Sequence, residues 1–203
     1  MLTVRKSCDR GHADHGWLRS LHSFSFAGYR DPRYMGFGNL RALNEEWIAP
    51  GAGLGLHGDR DMEILSYVLS GRLGSRDCSG RVQCAAAGWS GCGLNSAREY
   101  AQVPGPAGRG SGRLHLLAAP AAAPDVLGLQ ADACFYAGLF DGMDVAELPL
   151  DPARKCYVHL LRGTLQANGR TLAAGDAAFV ESEGRLALGR GSDAEVLVFD
   201  LAA

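Results

Sequence analysis

Apolar and polar positions alternate along this chain in short runs, and the three-to-four spacing of a helix is hard to find. Residues 18–26 alternate from Phe24 onward, as a half-buried strand does. Residues 40–49 read as strand, tight turn, strand, closed by Pro50-Gly51. A strongly apolar strand follows from Glu63 to Leu69 and stops at Gly71. Ser79-Gly80 then marks a turn, and residues 81–85 form a weaker strand leading to Ala87-Gly88. The second half repeats this order. Tyr157-Val158-His159-Leu160-Leu161-Arg162-Gly163 echoes Tyr67-Val68-Leu69-Ser70-Gly71, and Asn168-Gly169, a dipeptide that accepts the positive φ of a two-residue hairpin turn, stands where Ser79-Gly80 stood. Ala174-Gly175-Asp176 matches Ala87-Gly88-Trp89, and residues 194–201 form a last strand. Two rounds of one scheme predict a duplicated β-barrel unit.

Between the rounds lies Ala118-Ala119-Pro120-Ala121-Ala122-Ala123-Pro124. Its prolines predict an extended connector, with a short alanine-driven helix as the alternative. Residues 104–112, rich in glycine and proline, read as a loop.

The 203 residues suffice for one large or two small domains with a real core, and 47% hydrophobic with 21% charged residues is ordinary for a globular chain. A formal net charge of −2 offers no basic field for nucleic acid. No apolar run reaches membrane-spanning length, and residues 1–7 lack the apolar core of a secretion signal, so the expectation is a cytoplasmic protein with no membrane partner. Cut-down loops suggest a compact monomer. Six cysteines contain no C-x-x-C pair and are read as reduced thiols. Cys92 is read as a small buried hydrophobe, with a soft ligand or redox thiol as the alternative.

Chemistry concentrates at His57-Gly58-Asp59-Arg60-Asp61-Met62-Glu63, entered from Gly51. A glycine, five residues, a histidine, one residue, a second ligand-capable residue, three more and a glutamate resembles the first metal-binding motif of cupin barrels. Asp59 stands where that motif has its second histidine. Three further stretches carry a wider resemblance: Arg10-Gly11-His12-Ala13-Asp14-His15-Gly16-Trp17-Leu18, then His22-Ser23-Phe24-Ser25-Phe26, then Asp31-Pro32-Arg33-Tyr34-Met35-Gly36-Phe37-Gly38-Asn39-Leu40-Arg41. With Gly55-Leu56-His57 and residues 61–71 in register, they look like the N-terminal signature of the pirin family. Residues from about 130 to 201 are similar to the second cupin of its bacterial quercetinase-like members.

The resemblance implies an all-β bicupin: two β-sandwich barrels packed face to face, residues 1–119 carrying the candidate metal site and residues 120–203 carrying no metal motif. Family members hold their metal through two histidines of an H-x-H pair and a later histidine and glutamate. Carried over, these fall on His57, on Asp59, on Ala97 in place of histidine, and on Glu99, within a segment several residues shorter than the family pattern. Some pirin-like bicupins share such a loss, and this chain resembles that subset. His57, Asp59 and Glu99 would form a one-imidazole, two-carboxylate set suited to Fe(II) or another divalent ion (Mn, Ni or Co). The implied activity is flavonol ring opening with O2, as in quercetin 2,3-dioxygenases, with Glu99 taking the substrate's hydroxyl proton.

The rival reading is a metal-free cupin, which the charge pattern favours. Asp59, Arg60, Asp61 and Arg98 then form a salt-linked loop at the barrel mouth, and the pocket serves as a small-molecule binding, redox-sensing or regulatory interaction module for a small aromatic or flavonol-like ligand. Glu63 is read as a paired structural carboxylate. His12, His15 and His22 are read as core or turn hydrogen-bonders, His115 as a strand residue, and His159 as the second barrel's single histidine. Trp17, Trp47 and Trp89 are assigned to packing.

Overall fold

The structure is a computed structural model that describes residues 1–53, 62–76, 82–87, 89–94, 100–107 and 109–203. Strand after strand runs through them: β1 (Leu2–Arg5), β2 (Gly11–Asp14), β3 (Leu18–His22), β4 (Asn44–Ile48), β5 (Glu63–Tyr67), β6 (Arg72–Arg76), β7 (Val82–Ala86), β8 (Trp89–Leu94), β9 (Tyr100–Pro104) and β10 (Arg113–Ala119). The second half continues with β11 (Leu127–Gly128), β12 (Ala133–Phe140), β13 (Val145–Pro149), β14 (Lys155–Ala167), β15 (Arg170–Ala173), β16 (Ala177–Glu181) and β17 (Arg185–Leu201). Among the described residues the only helical piece is a single 3-10 turn, Ser7–Asp9. None of their helices is long and apolar enough to cross a membrane.

The largest sheet runs β1-β16-β14-β17-β12-β10-β11, with β13 added on β17 and β15 on β14. Smaller sheets are β2-β3-β4, β5-β8-β9 and the hairpin β6-β7. The architecture is all-β, as the alternating pattern predicts, and it fits the bicupin plan that the resemblance implies. The chain's first strand, β1, lies antiparallel to β16 of the second half, and β10 lies antiparallel to β12. The boundary expected at residue 119 coincides with the end of β10.

Strand β14 explains how the halves meet. From Cys156 to Leu160 every residue is buried, so the segment reads as an unbroken apolar run rather than an alternation. Cys156, Val158 and Leu160 face the interior of the second cupin, with Leu165, Leu172, Leu186 and Val196. Tyr157 faces the other way, into a cluster with Phe24 and Phe37 of the first half. Its ring lies 5.5 Å from that of Phe24 and 5.0 Å from that of Phe179. A second seam joins Leu65 and Tyr67 of β5 and Val103 of β9 to Leu117, Phe135 and Leu197. Each large apolar side chain fully buried in these seams contributes roughly 1.5–3 kcal/mol.

Local backbone chemistry sets the turns. Asn168 (φ 44°) and Gly169 (φ 76°) form the two-residue turn between the paired residues Ala167 and Arg170, as the Asn-Gly dipeptide predicts. Gly163 (φ 69°) sits where the β14–β17 register shifts, and a Cβ there would lie 2.1 Å from the Ser192 carbonyl, so only glycine fits.

Two expectations change. Strand β3 stops at His22, and residues 24–26 do not continue it. Phe24 is drawn wholly into the core, and Phe26 bridges to Tyr29 through a tight loop with Ala27 at φ 48°. Residues 40–49 do not fold as strand, turn, strand, because residues 44–48 form the single strand β4, paired along its whole length with β3. The connector, in keeping with its prolines, contains no helix: Ala123 and Val126 bridge across a turn in which Asp125 takes φ 60°. Tertiary packing overrides local pattern in the first two cases.

Candidate metal centre

The candidate ligands His57, Asp59 and Glu99, with Arg60, Asp61, Ala97 and Arg98, lie outside the described residues. What the structure does place is the sheet to which they connect. In β5-β8-β9, Glu63 stands opposite Leu94, and Gly93 stands opposite Tyr100. The chain therefore enters β5, and passes from β8 to β9, at one end of one sheet. The motif ending at Glu63 and the segment bearing Glu99 join the described fold side by side there. No group of three or more histidine, cysteine, aspartate or glutamate side chains elsewhere among the described residues is arranged to hold a metal.

Glu63 is a paired carboxylate, as the sequence suggests. Its Oε1 accepts a hydrogen bond from the Gln130 amide and its Oε2 one from the Ala131 amide, each 2.7 Å long. At the other end of β5 the Tyr67 hydroxyl donates to Glu195 Oε1 at 2.6 Å. Burial, reinforced by that carboxylate, pushes the Tyr67 phenol far above its ordinary range, so it stays a donor. The Arg162 guanidinium lies 3.4 Å from Glu195 and donates to the Leu69 carbonyl at 2.5 Å.

A second polar group, invisible in the sequence pattern, lies buried between the two halves. His159, on β14, donates from Nε2 to Glu45 Oε1 at 2.6 Å, and Arg10 donates to the same oxygen at 2.9 Å. Both side chains are 1% exposed, against 13% for Glu45. Burial holds the His159 imidazole below its ordinary value, so the ring is neutral with its proton on Nε2. Burial pushes the Glu45 carboxyl upward, but His159 and Arg10 together outweigh it and the net shift is downward. Arg10 is thus the ionic partner of Glu45, and His159 a neutral donor.

Around this pair, Asp176 accepts from Lys6 Nζ at 2.7 Å and from the amides of Ser7 and Ala173 at 2.9 and 3.0 Å. Arg5, also buried, donates to the carbonyls of Ser23 and Asp9, lies 3.0 Å from the Tyr29 hydroxyl, and stacks at 3.6 Å on Tyr34. The bonds from Lys6 and Ser7 to Asp176 anchor the N-terminal arm on the second cupin, and those of Arg5 tie that arm to the loops of the first half.

The other expectations divide. His22 is buried and bonded, its Nδ1 donating to Asn44 Oδ1 at 2.9 Å, with Ser20 Oγ 3.4 Å from Nε2. His12 and His15 are exposed. His115 lies on β10, 3.4 Å from the Gly110 carbonyl. Trp17 and Trp47, assigned to packing, are instead 40% and 51% exposed, because both sit at the outer rim of the β2-β3-β4 sheet, where Arg19 covers the Trp47 ring at 5.7 Å. The side chains of Trp89 and Cys92 lie outside the described ones. Cys8, Cys84, Cys134 and Cys156 are free thiols, and burial pushes Cys156 up to about 12, which leaves it unreactive.

Comparison with known proteins gives this geometry a lineage. Residues 2–91 match the family described as Pirin, and residues 116–201 match that described as the quercetinase C-terminal cupin domain. An Escherichia coli (strain K12) protein named quercetin 2,3-dioxygenase is 32% identical, with 99% of each chain covered. That alignment runs over 233 positions against a chain of 203 residues, so at least 30 positions of the relative have no counterpart here. A pirin-like protein of Caulobacter vibrioides is 31% identical over 98% of this chain and 99% of its own. Among solved structures, the bacterial pirin YhhW from Escherichia coli in complex with nickel(II) superposes with a TM-score of 0.90 at 29% identity, over 100% of this chain and 99% of that one.

Proposed function

The chain belongs to the pirin family, and from that membership we propose that it is a metal-dependent dioxygenase of the quercetinase type working through an altered centre. The observation that carries this reading is the junction at one end of β5-β8-β9, where the motif of His57 and Asp59 and the segment of Glu99 join the fold together. The names of its relatives, quercetin 2,3-dioxygenase in one case and a nickel(II)-bound pirin in another, support it.

The donor chemistry fits a divalent first-row ion. His57, Asp59 and Glu99 offer one imidazole and two carboxylates, a harder set than the family's three imidazoles and one carboxylate, suited by ligand type to iron(II) or manganese(II), with cobalt(II) and nickel(II) also accommodated. When bound, the ion would supply Lewis acidity and a template for a flavonol-like enediol. Glu99 would take the hydroxyl proton of that substrate. Arg98 beside it competes for the carboxylate and weakens the set.

A second reading has its own observation. Aspartate at 59 and alanine at 97 stand at two positions where the family pattern has imidazoles, which favours a metal-free cupin that binds a small aromatic ligand or a regulatory partner.

Metal analysis of protein reconstituted with iron(II) or nickel(II), followed by oxygen uptake with quercetin, tests the proposal. One ion per chain, with uptake lost in His57→Ala while the fold is kept, is the expected result. Folded protein that retains no ion and consumes no oxygen would overturn it in favour of the binding module.

A further inference from the structure

Glu63 closes the cupin-like motif, yet both its oxygens are engaged by backbone amides of the second half, at Gln130 and Ala131. On β5 the alternate residues Glu63, Leu65 and Tyr67 share one face. Leu65 and Tyr67 pack against the second cupin's cluster, while Ile64 on the opposite face is 40% exposed. The same strand is fixed at its far end by Tyr67 on Glu195 and by Arg162 on the Leu69 carbonyl.

We infer that Glu63 is a positioning residue: its two amide contacts tie the first residue of β5, four residues after Asp59 in the chain, to residues 130–131 of the second cupin and so fix the strand end from which the candidate ligand motif departs. The strand is five residues long, and a slip of one residue would turn its apolar face outward, so a charged anchor at its first position fixes register as well as place. A carboxylate accepting two amide hydrogen bonds is held in one orientation, and charge-assisted bonds of this kind are roughly twice as strong as neutral ones. The inference rests on the metal reading above only for its functional consequence. The clamp itself is independent of it.

The test compares Glu63→Gln with Tyr67→Phe, which loosens the other end of the same strand. Hydrogen exchange is followed in the stretches 54–62 and 129–132, and nickel(II) affinity is measured by titration calorimetry. In Glu63→Gln both stretches should exchange faster and nickel(II) affinity should fall by about 10-fold or more, the usual effect of removing a group that orients ligands. Tyr67→Phe should lower the midpoint of unfolding while leaving affinity within about 2-fold, since a loss of strand stability alone does not displace the ligand segment. Unchanged exchange in 54–62 with unchanged affinity in Glu63→Gln would overturn the inference. If the wild-type chain takes no nickel(II), the metal reading fails, and exchange in 54–62 alone decides the clamp: faster in Glu63→Gln upholds it, unchanged overturns it.

Discussion

Replacing Glu45 with alanine should lower the stability of the whole chain by about 3–5 kcal/mol, the usual result of leaving buried charge without its partner. Arg10 and His159 both donate to Glu45 Oε1, and both are 1% exposed, so neither finds water when the carboxylate is removed. The guanidinium would keep its charge in a site with only the neutral Ser7 Oγ, 3.3 Å away, left to accept from it, and the imidazole proton would be orphaned. Because Glu45 sits on β4 and His159 on β14, the loss falls on the contact between halves. Chemical denaturation should show a lower midpoint with an unchanged slope, and thermal unfolding should come roughly 10 °C earlier. Glu45→Gln, which keeps one acceptor, should fall between. A loss under about 1 kcal/mol for Glu45→Ala would mean that the junction is open to water and carries little.

Acidification should weaken the same junction before it reaches any surface carboxylate. The folded-state value of His159 lies below its ordinary value of 6.5. The unfolded chain therefore binds a proton that the folded chain refuses, and stability falls as pH drops below about 6.5. The loss is up to about 1.4 kcal/mol per pH unit for as long as the buried ring stays neutral. Arg10, facing the ring across Glu45, opposes its protonation, while Glu45 and Asp176 favour it, and burial prevails. Glu45 and Asp176 are themselves held below their ordinary values, so their contribution is present above about pH 4.5 and is lost on further descent. Melting temperature followed from pH 7.5 to 5 should thus decline, and His159→Gln, which keeps a donor for Glu45 but cannot titrate, should flatten the curve between pH 6.5 and 5. Parallel curves for the two proteins would remove His159 from the account.

The contrast between what the sequence displays and what it hides has a physical basis. Strands with one buried face announce themselves by alternation, and the Asn168-Gly169 turn by its backbone preference, so the all-β character is readable directly, while the two-cupin plan comes from the family resemblance. The motif at His57 is readable because metal ligation demands particular donors at particular spacing. The pairing of Glu63 is half legible: a carboxylate inside an apolar run needs partners, but nothing local names Gln130 and Ala131. The junction of Arg10, Glu45 and His159 is not legible at all. Its members are separated by 35 and 114 positions, and three charged or polar residues so far apart carry no period to detect. The expected turn within residues 40–49 fails because the polar run Asn44-Glu45-Glu46 is part of β4, where Glu45 meets Arg10 and His159 inside. Trp17 and Trp47 mislead in the opposite direction, since ring size suggests a core and an edge sheet leaves them at the surface.

The most direct test of the account is nickel(II) and iron(II) titration of the wild-type chain beside Asp59→His, which restores the imidazole that the family pattern places at this position. If the centre is an inherited one weakened by loss of donors, the wild-type chain binds one ion and Asp59→His binds it about 10- to 100-fold more tightly, in line with what single groups in and around a metal site contribute. Equal affinity in the two proteins, or no binding in either, would contradict a metal centre at His57, Asp59 and Glu99.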